Sequence, residues 1–131
     1  MSVSLLLDTC GLLALQNGGR ELSEAARLQL EAPGSEVWIS AISAFEIGQK
    51  HAGGKLILPC DPDAWFQAML KHHQVREIPV TSAIGIRAAG LPLLHKDPFD
   101  RLIIATAQEH GLEILTSDRT ISTYPGITTL W

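Results

Sequence analysis

Asp8, Glu46, Asp100 and Asp118 are the side chains of this 131-residue sequence whose type and setting point to chemistry. Asp8 closes the apolar run VSLLL, Glu46 falls in ISAISAFEIG, Asp100 in HKDPFDRLIIATA and Asp118 in LTSD. Each follows a strand-like run or opens a helix-like one. Gathered in one place, carboxylates repel one another and hold protons to higher pH. A divalent cation removes that conflict. Hard cations such as Mg²⁺ take carboxylate oxygens, waters and phosphate oxygens. No cysteine or histidine pair stands at metal-ligand spacing, so zinc is not indicated. The chemistry such a group supports is metal-assisted phosphodiester hydrolysis, with the metal orienting a water and offsetting charge on the phosphate.

Each acid also has a plainer reading. Ser43 and Glu46 stand at capping-box spacing, as do Asp97 and Asp100. Asp118 suits an Asx-turn or a cap over 119–123. Carboxylates are favoured at helix N-termini by about 0.3–1 kcal/mol each. Asp8 is the hardest to explain this way: it sits between a strand run and an apolar helix start, and a buried carboxylate needs donors or cations.

The acids can meet only if the backbone brings them together. Val3–Leu7, Glu36–Ile39, Arg76–Val80 and Glu113–Thr116 are short strand signals, and Ile127–Leu130 is a fifth at an edge. Helical spacing is expected over Gly11–Gln16, over Leu22–Ala32, from Ser40 or Ser43 to about His51, and over DPDAWFQAMLKHH behind the Asp61 cap and Pro62. It recurs from the Thr81 cap to about Ala89, and from Pro98 to His110 with Gly111 as the stop. Strands alternating with helices predict a three-layer α/β/α fold, with a mostly parallel sheet of about five strands. The carboxyl ends of parallel strands share one edge, where ligands bind in such sheets. All four acids are expected there.

Composition bounds the rest. The length suits a single domain over 1–131, and 46% hydrophobic residues can build a core. A formal net charge of −4 argues against gripping nucleic acid by bulk positive charge, though not against reaching phosphates through bound metal. Cys10 and Cys60 are too few for a disulfide framework and read as reduced thiols. No apolar run reaches the roughly 20 residues of a membrane span, and the first residues make a poor signal peptide, so a soluble cytoplasmic protein is expected.

Taken in order, LLLDT at 5–9, ISAISAFEIG at 39–48, HKDPFDRLIIATA at 95–107 and LTSD at 115–118 resemble the PIN-domain nucleases, and specifically the VapC-like toxins of type II toxin–antitoxin pairs. The resemblance covers nearly the whole chain, and DPFDRLIIA is its most specific mark. It implies that Asp8, Glu46, Asp100 and Asp118 match the family's acidic quartet, which binds Mg²⁺ or Mn²⁺ for endoribonuclease activity. Asp97 enters only as a neighbour, and Thr9 and Thr116 match small hydroxyl positions beside the acids. A homodimer and a small antitoxin covering the active site are implied in the same way.

Lys50, Lys96, Arg101 and Arg119 stand near the acids in sequence and are candidates for RNA phosphate contact; local pairs such as Glu46–Lys50 are the alternative. His95 reads as a loop histidine. Trp65, Phe66, Met69 and Leu70 read as core. Two other functions remain in view. A non-catalytic PIN-like binding module would use the acids only as caps. An aspartyl-phosphate phosphatase would want a second aspartate at position 10, where Cys10 stands, and the acidic pair and lysine of a receiver are missing.

Overall fold

The computed structural model describes residues 4–131. Five strands, β1 (Ser4–Leu7), β2 (Glu36–Ser40), β3 (Val75–Ile78), β4 (Glu113–Leu115) and β5 (Thr129–Leu130), form one sheet in the order β3-β2-β1-β4-β5. Every pairing is parallel. Strands buried on both faces read as unbroken apolar runs, which is why LLL at 5–7 and EIL at 113–115 carry no alternation. Val3 lies outside the described residues. Pro79 ends β3 at Ile78, two residues short of Val80, since it has no amide hydrogen to give the ladder.

Six helices complete the layers: α1 (Thr9–Gln16), α2 (Glu24–Glu31), α3 (Ala41–Ala52), α4 (Pro62–His73), α5 (Ser82–Ala89) and α6 (Pro98–His110). One core lies between the sheet and α5 and α6, where Leu6 and Ile114 meet Ile84, Ile103 and Ile104. The other lies under α1–α4, where Leu7, Ile39 and Leu115 meet Leu12, Ile47, Trp65 and Phe66. Trp65, Phe66 and Met69 are buried, as the core reading requires, and Leu70 is partly buried. Each such side chain, fully buried, contributes roughly 1.5–3 kcal/mol. Cys10 and Cys60 are exposed and unlinked. None of the described helices is long and apolar enough to cross a membrane.

Local signals set the helix ends. Asp61, Thr81 and Asp97 each accept a backbone N–H as N-caps, and Gly111 ends α6 at φ 67°, a conformation that costs glycine little. One start had two candidate caps. Ser40, not Ser43, caps α3, accepting from Ile42 N at 3.2 Å. The helix therefore begins at Ala41, and Glu46 moves from the expected first turn into the second. The box between Ser43 and Glu46 does not form.

Candidate active site

Parallel strands deliver their carboxyl ends to one edge, and the order β3-β2-β1-β4-β5 reverses direction between β1 and β4. Ligands bind at such a reversal. Asp8 leaves the end of β1 there, and Asp118 stands three residues past the end of β4. α3 brings Glu46 to the same place, and the first turn of α6 brings Asp100. Asp8 and Asp100 each feel the charges of Glu46 and Asp118, so the four acids lie near one another at this edge.

Hydrogen bonds orient the carboxylates. Asp8 is buried and caps α1: its Oδ1 accepts from Gly11 N at 2.7 Å. Its Oδ2 accepts from the Thr116 hydroxyl at 2.5 Å. Thr116 Oγ1 in turn accepts from Asp118 N at 3.0 Å, so one hydroxyl ties β4's end to both aspartates. Gly11 permits this closeness: a Cβ there would lie 3.0 Å from Leu115 O and 3.4 Å from Asp8 Oδ1. Thr9 Oγ1 donates to Glu46 Oε1 at 2.7 Å and lies 3.1 Å from Ser43 Oγ. Glu46 thus accepts a bond from across the site instead of reaching back over its own helix start.

Asp118 Oδ1 accepts from Thr120 N at 2.9 Å, the Asx-turn named as its plainer reading. Cap and site therefore coexist in one residue. Asp97 caps α6 by accepting from Phe99 N at 2.9 Å, whereas Asp100 makes no return bond to Asp97 N. That amide donates instead to His95 Nδ1 at 3.2 Å.

His95 is the participant that sequence reasoning left in a loop. Its Nε2 lies 2.8 Å from Asp118 Oδ2 and 3.0 Å from Asp100 Oδ2. Loop residues carry no periodicity, so its position offered no signal beyond nearness to Asp97.

The electrostatics favour a bound cation. Burial, reinforced by the charges of Glu46 and Asp118, pushes the Asp8 carboxyl from 3.8 up to about 6, against the lowering bonds of Thr116 and Gly11. Burial and the nearby Asp97 charge push Asp100 to about 7, with His95 opposing. Burial also acts to raise Asp118, but the bonds from His95 and Thr120 N outweigh it and hold this carboxyl below the usual range. Burial is the larger cause of both raised values and the neighbouring acids add to it; a hard divalent cation would relieve the burial penalty and the repulsion together. The oxygen donors of Asp8, Glu46, Asp100 and Asp118 fit such an ion.

The basic candidates separate. Lys50 Nζ lies 3.7 Å from Glu46 Oε2, the helical pair foreseen as the alternative to RNA contact. Lys96 and Arg119 are exposed beside His95 and Asp118. Arg101 is a correction: it is 8% exposed and faces away from solvent, so it cannot serve as an RNA contact. Its Nη2 donates to Ala88 O and Leu91 O, both at 2.9 Å, and its Nη1 to Pro92 O at 3.0 Å and His95 O at 3.3 Å. One guanidinium fork closes the carboxyl end of α5 and ties down the loop that carries His95. Arg101→Met would strand these carbonyls and is expected to cost about 3 kcal/mol. That is roughly 10 °C in melting temperature, readable by calorimetry. Arg101→Lys is expected to recover little, because a single ammonium cannot span the fork.

Residues 5–127 match the family model of the PIN domain. Ribonuclease VapC22 of Mycobacterium tuberculosis is 34% identical over 115 residues, 86% of each chain. Among solved structures, a toxin–antitoxin complex from Klebsiella pneumoniae aligns at TM-score 0.65 and 25% identity, covering 97% of this chain and 98% of that one. VapBC2 from Rickettsia felis, solved bound to a DNA fragment from their promoter, aligns at TM-score 0.72 and 16% identity over 97% of each chain, a likeness of fold. On the family match, the curated relative and the parallel sheet with acids at its reversal, the chain belongs to the PIN domain family.

Proposed function

We propose that this chain is a divalent-metal-dependent endoribonuclease that hydrolyses RNA phosphodiester bonds as the toxin of a toxin–antitoxin pair. The observation that carries the reading is the acidic site itself: Asp8 and Asp100 are raised by burial and crowding at the sheet reversal of a PIN domain. Asp8, Asp100, Glu46 and Asp118 are the residues that would hold Mg²⁺ or Mn²⁺. When bound, the ion supplies an activated water and offsets charge on the scissile phosphate. The chain's own residues keep the carboxylates in place: Thr116 between Asp8 and Asp118, Thr9 on Glu46. Exposed Lys96 and Arg119, with Lys50, are the cations that would meet RNA phosphates.

The resemblance to VapC22 and to the Klebsiella complex supports a small antitoxin protein as partner, covering the acids. A homodimer and a cytoplasmic location complete the proposal.

The purified chain, freed of any partner, is expected to cut single-stranded RNA with Mg²⁺ or Mn²⁺ and to stop on addition of chelator. Asp100→Asn should reduce cleavage by on the order of 10²-fold or more, since it removes a carboxylate the metal needs. RNA left intact under both metals would rule the reading out. Tight RNA binding without cleavage would favour the non-catalytic binding module.

A further inference from the structure

His95, Asp100 and Asp118 each offer an atom within 4.8 Å of the others, an arrangement that resembles a mixed nitrogen and oxygen metal triad. The second ring nitrogen contradicts that appearance. Asp97 N donates its hydrogen to His95 Nδ1 at 3.2 Å, and a nitrogen that accepts a hydrogen bond carries no proton. In an imidazole with Nδ1 bare, the hydrogen sits on Nε2, the nitrogen facing the two aspartates. Metal-bound histidines are wired the opposite way: they ligate through the bare nitrogen and give the other N–H to a carbonyl or carboxylate.

We propose that His95 is a positioning residue of the acidic site, a ring fixed in one tautomer whose Nε2–H is donated to Asp118 and stands 3.0 Å from Asp100 Oδ2, aiming both carboxylates at the cation without binding it. The proposal rests on the reading of this site as a metal-dependent nuclease centre.

The surroundings hold the ring in that role. His95 N donates to the Tyr124 hydroxyl at 2.7 Å, and Tyr124, itself 2% exposed, donates on to Pro92 O at 2.9 Å. Arg101 Nη1 donates to His95 O at 3.3 Å. The backbone is thus fastened on both sides and the ring at both nitrogens. On the receiving side, Asp118 has one oxygen held by Thr120 N at 2.9 Å and the other by His95 at 2.8 Å, so the plane of its carboxylate is set. A carboxylate oxygen has two lone pairs, and a bond from His95 leaves one for a cation. Asp100 accepts no hydrogen bond at its carboxylate among the described residues, so the Nε2–H of His95, 3.0 Å from its Oδ2, is the fixed positive dipole it faces. One N–H between two carboxylates also draws them together against their repulsion.

Full-length wild type, His95→Ala and His95→Gln would be compared for Mn²⁺ affinity by calorimetry, with melting curves confirming that each is folded. Electron spin-echo spectra of the Mn²⁺-loaded forms would report any coordinated imidazole nitrogen. His95→Ala is expected to bind Mn²⁺ about 10- to 100-fold more weakly, as loss of an orienting partner does. His95→Gln should recover most of that loss, since its amide also donates, and wild type should show no coordinated nitrogen. A nitrogen signal in wild type that vanishes in His95→Gln would overturn the proposal and make His95 a ligand. Equal Mn²⁺ affinity in wild type and His95→Ala would overturn it as well, leaving the nuclease reading untouched. Wild type that binds no Mn²⁺ would take the nuclease reading down, and this proposal with it.

Discussion

Asp8→Asn is expected to abolish RNA cleavage while making the metal-free protein more stable. The activity side follows from the carboxylate's place at the end of β1, where it is the most buried of the four acids. An orienting neighbour of a metal is worth 10- to 100-fold, so a carboxylate in direct contact should be worth on the order of 10³-fold. The stability side follows from the same burial. At neutral pH the folded chain keeps a charge on Asp8 that burial and two acidic neighbours disfavour. Asparagine carries no charge, still accepts from Gly11 N, and can donate its amide to Thr116 Oγ1. We expect a gain of about 2 kcal/mol in chelator, roughly 5 °C in melting temperature. Parallel cleavage assays and melts check both signs. A variant that is less stable, or one that cuts like wild type, would remove Asp8 from the metal site.

The second large effect is a pH dependence that metal should erase. Asp8 titrates near 3.8 when unfolded and at about 6 in the fold, and Asp100 at about 7. The folded chain therefore binds more protons than the unfolded one between those values. Stability is fully present below pH 4 as far as these two groups are concerned. It falls as pH rises through 6 and 7, and the loss is complete above about pH 8. The Asp8 shift alone amounts to roughly 3 kcal/mol, and Asp100 acts in the same direction. In chelator, melting temperature is expected to drop by on the order of 10 °C between pH 5 and pH 8. With saturating Mg²⁺ or Mn²⁺ the curve should flatten, because the ion binds the deprotonated site and stabilises the folded state by mass action. A chelated protein whose melting temperature rises steadily from pH 5 to pH 8 would contradict the crowded-acid description.

Much of this was legible in the residues. Unbroken apolar strands alternating with helices pointed to a parallel sheet, and parallel strands force one carboxyl edge. Asp8, Asp100 and Asp118 were placed by that rule, and DPFDR marked the start of α6 through its Asp97 cap and Pro98. Three things were not legible. Ser40 and Ser43 are both sound caps, and only the exact length of β2 decides between them, so Glu46 was set one turn too early. Arg101 lies beside Asp100 in sequence, but a long side chain can turn to either side, and the carbonyls of Ala88 and Leu91 that claim it are ten or more residues away. His95 depended on a loop fastened by Tyr124, 29 residues downstream, a contact without periodicity. Periodic patterns describe elements; the reach of individual polar side chains across the fold is set by tertiary packing.

The bond from Thr116 to Asp8 spans 108 positions of the chain. A ribosome releasing this protein exposes Asp8 and Glu46 early, but the strand that must lie against β1 on its other side, β4, comes only after α6. Until then the sheet ends at β1, two of the four acids are missing or unplaced, and Thr116 cannot hold Asp8. Assembly of the acidic centre therefore waits on β4 and Thr116. A growing chain carries no finished acidic centre until β4 and Asp118 have been made.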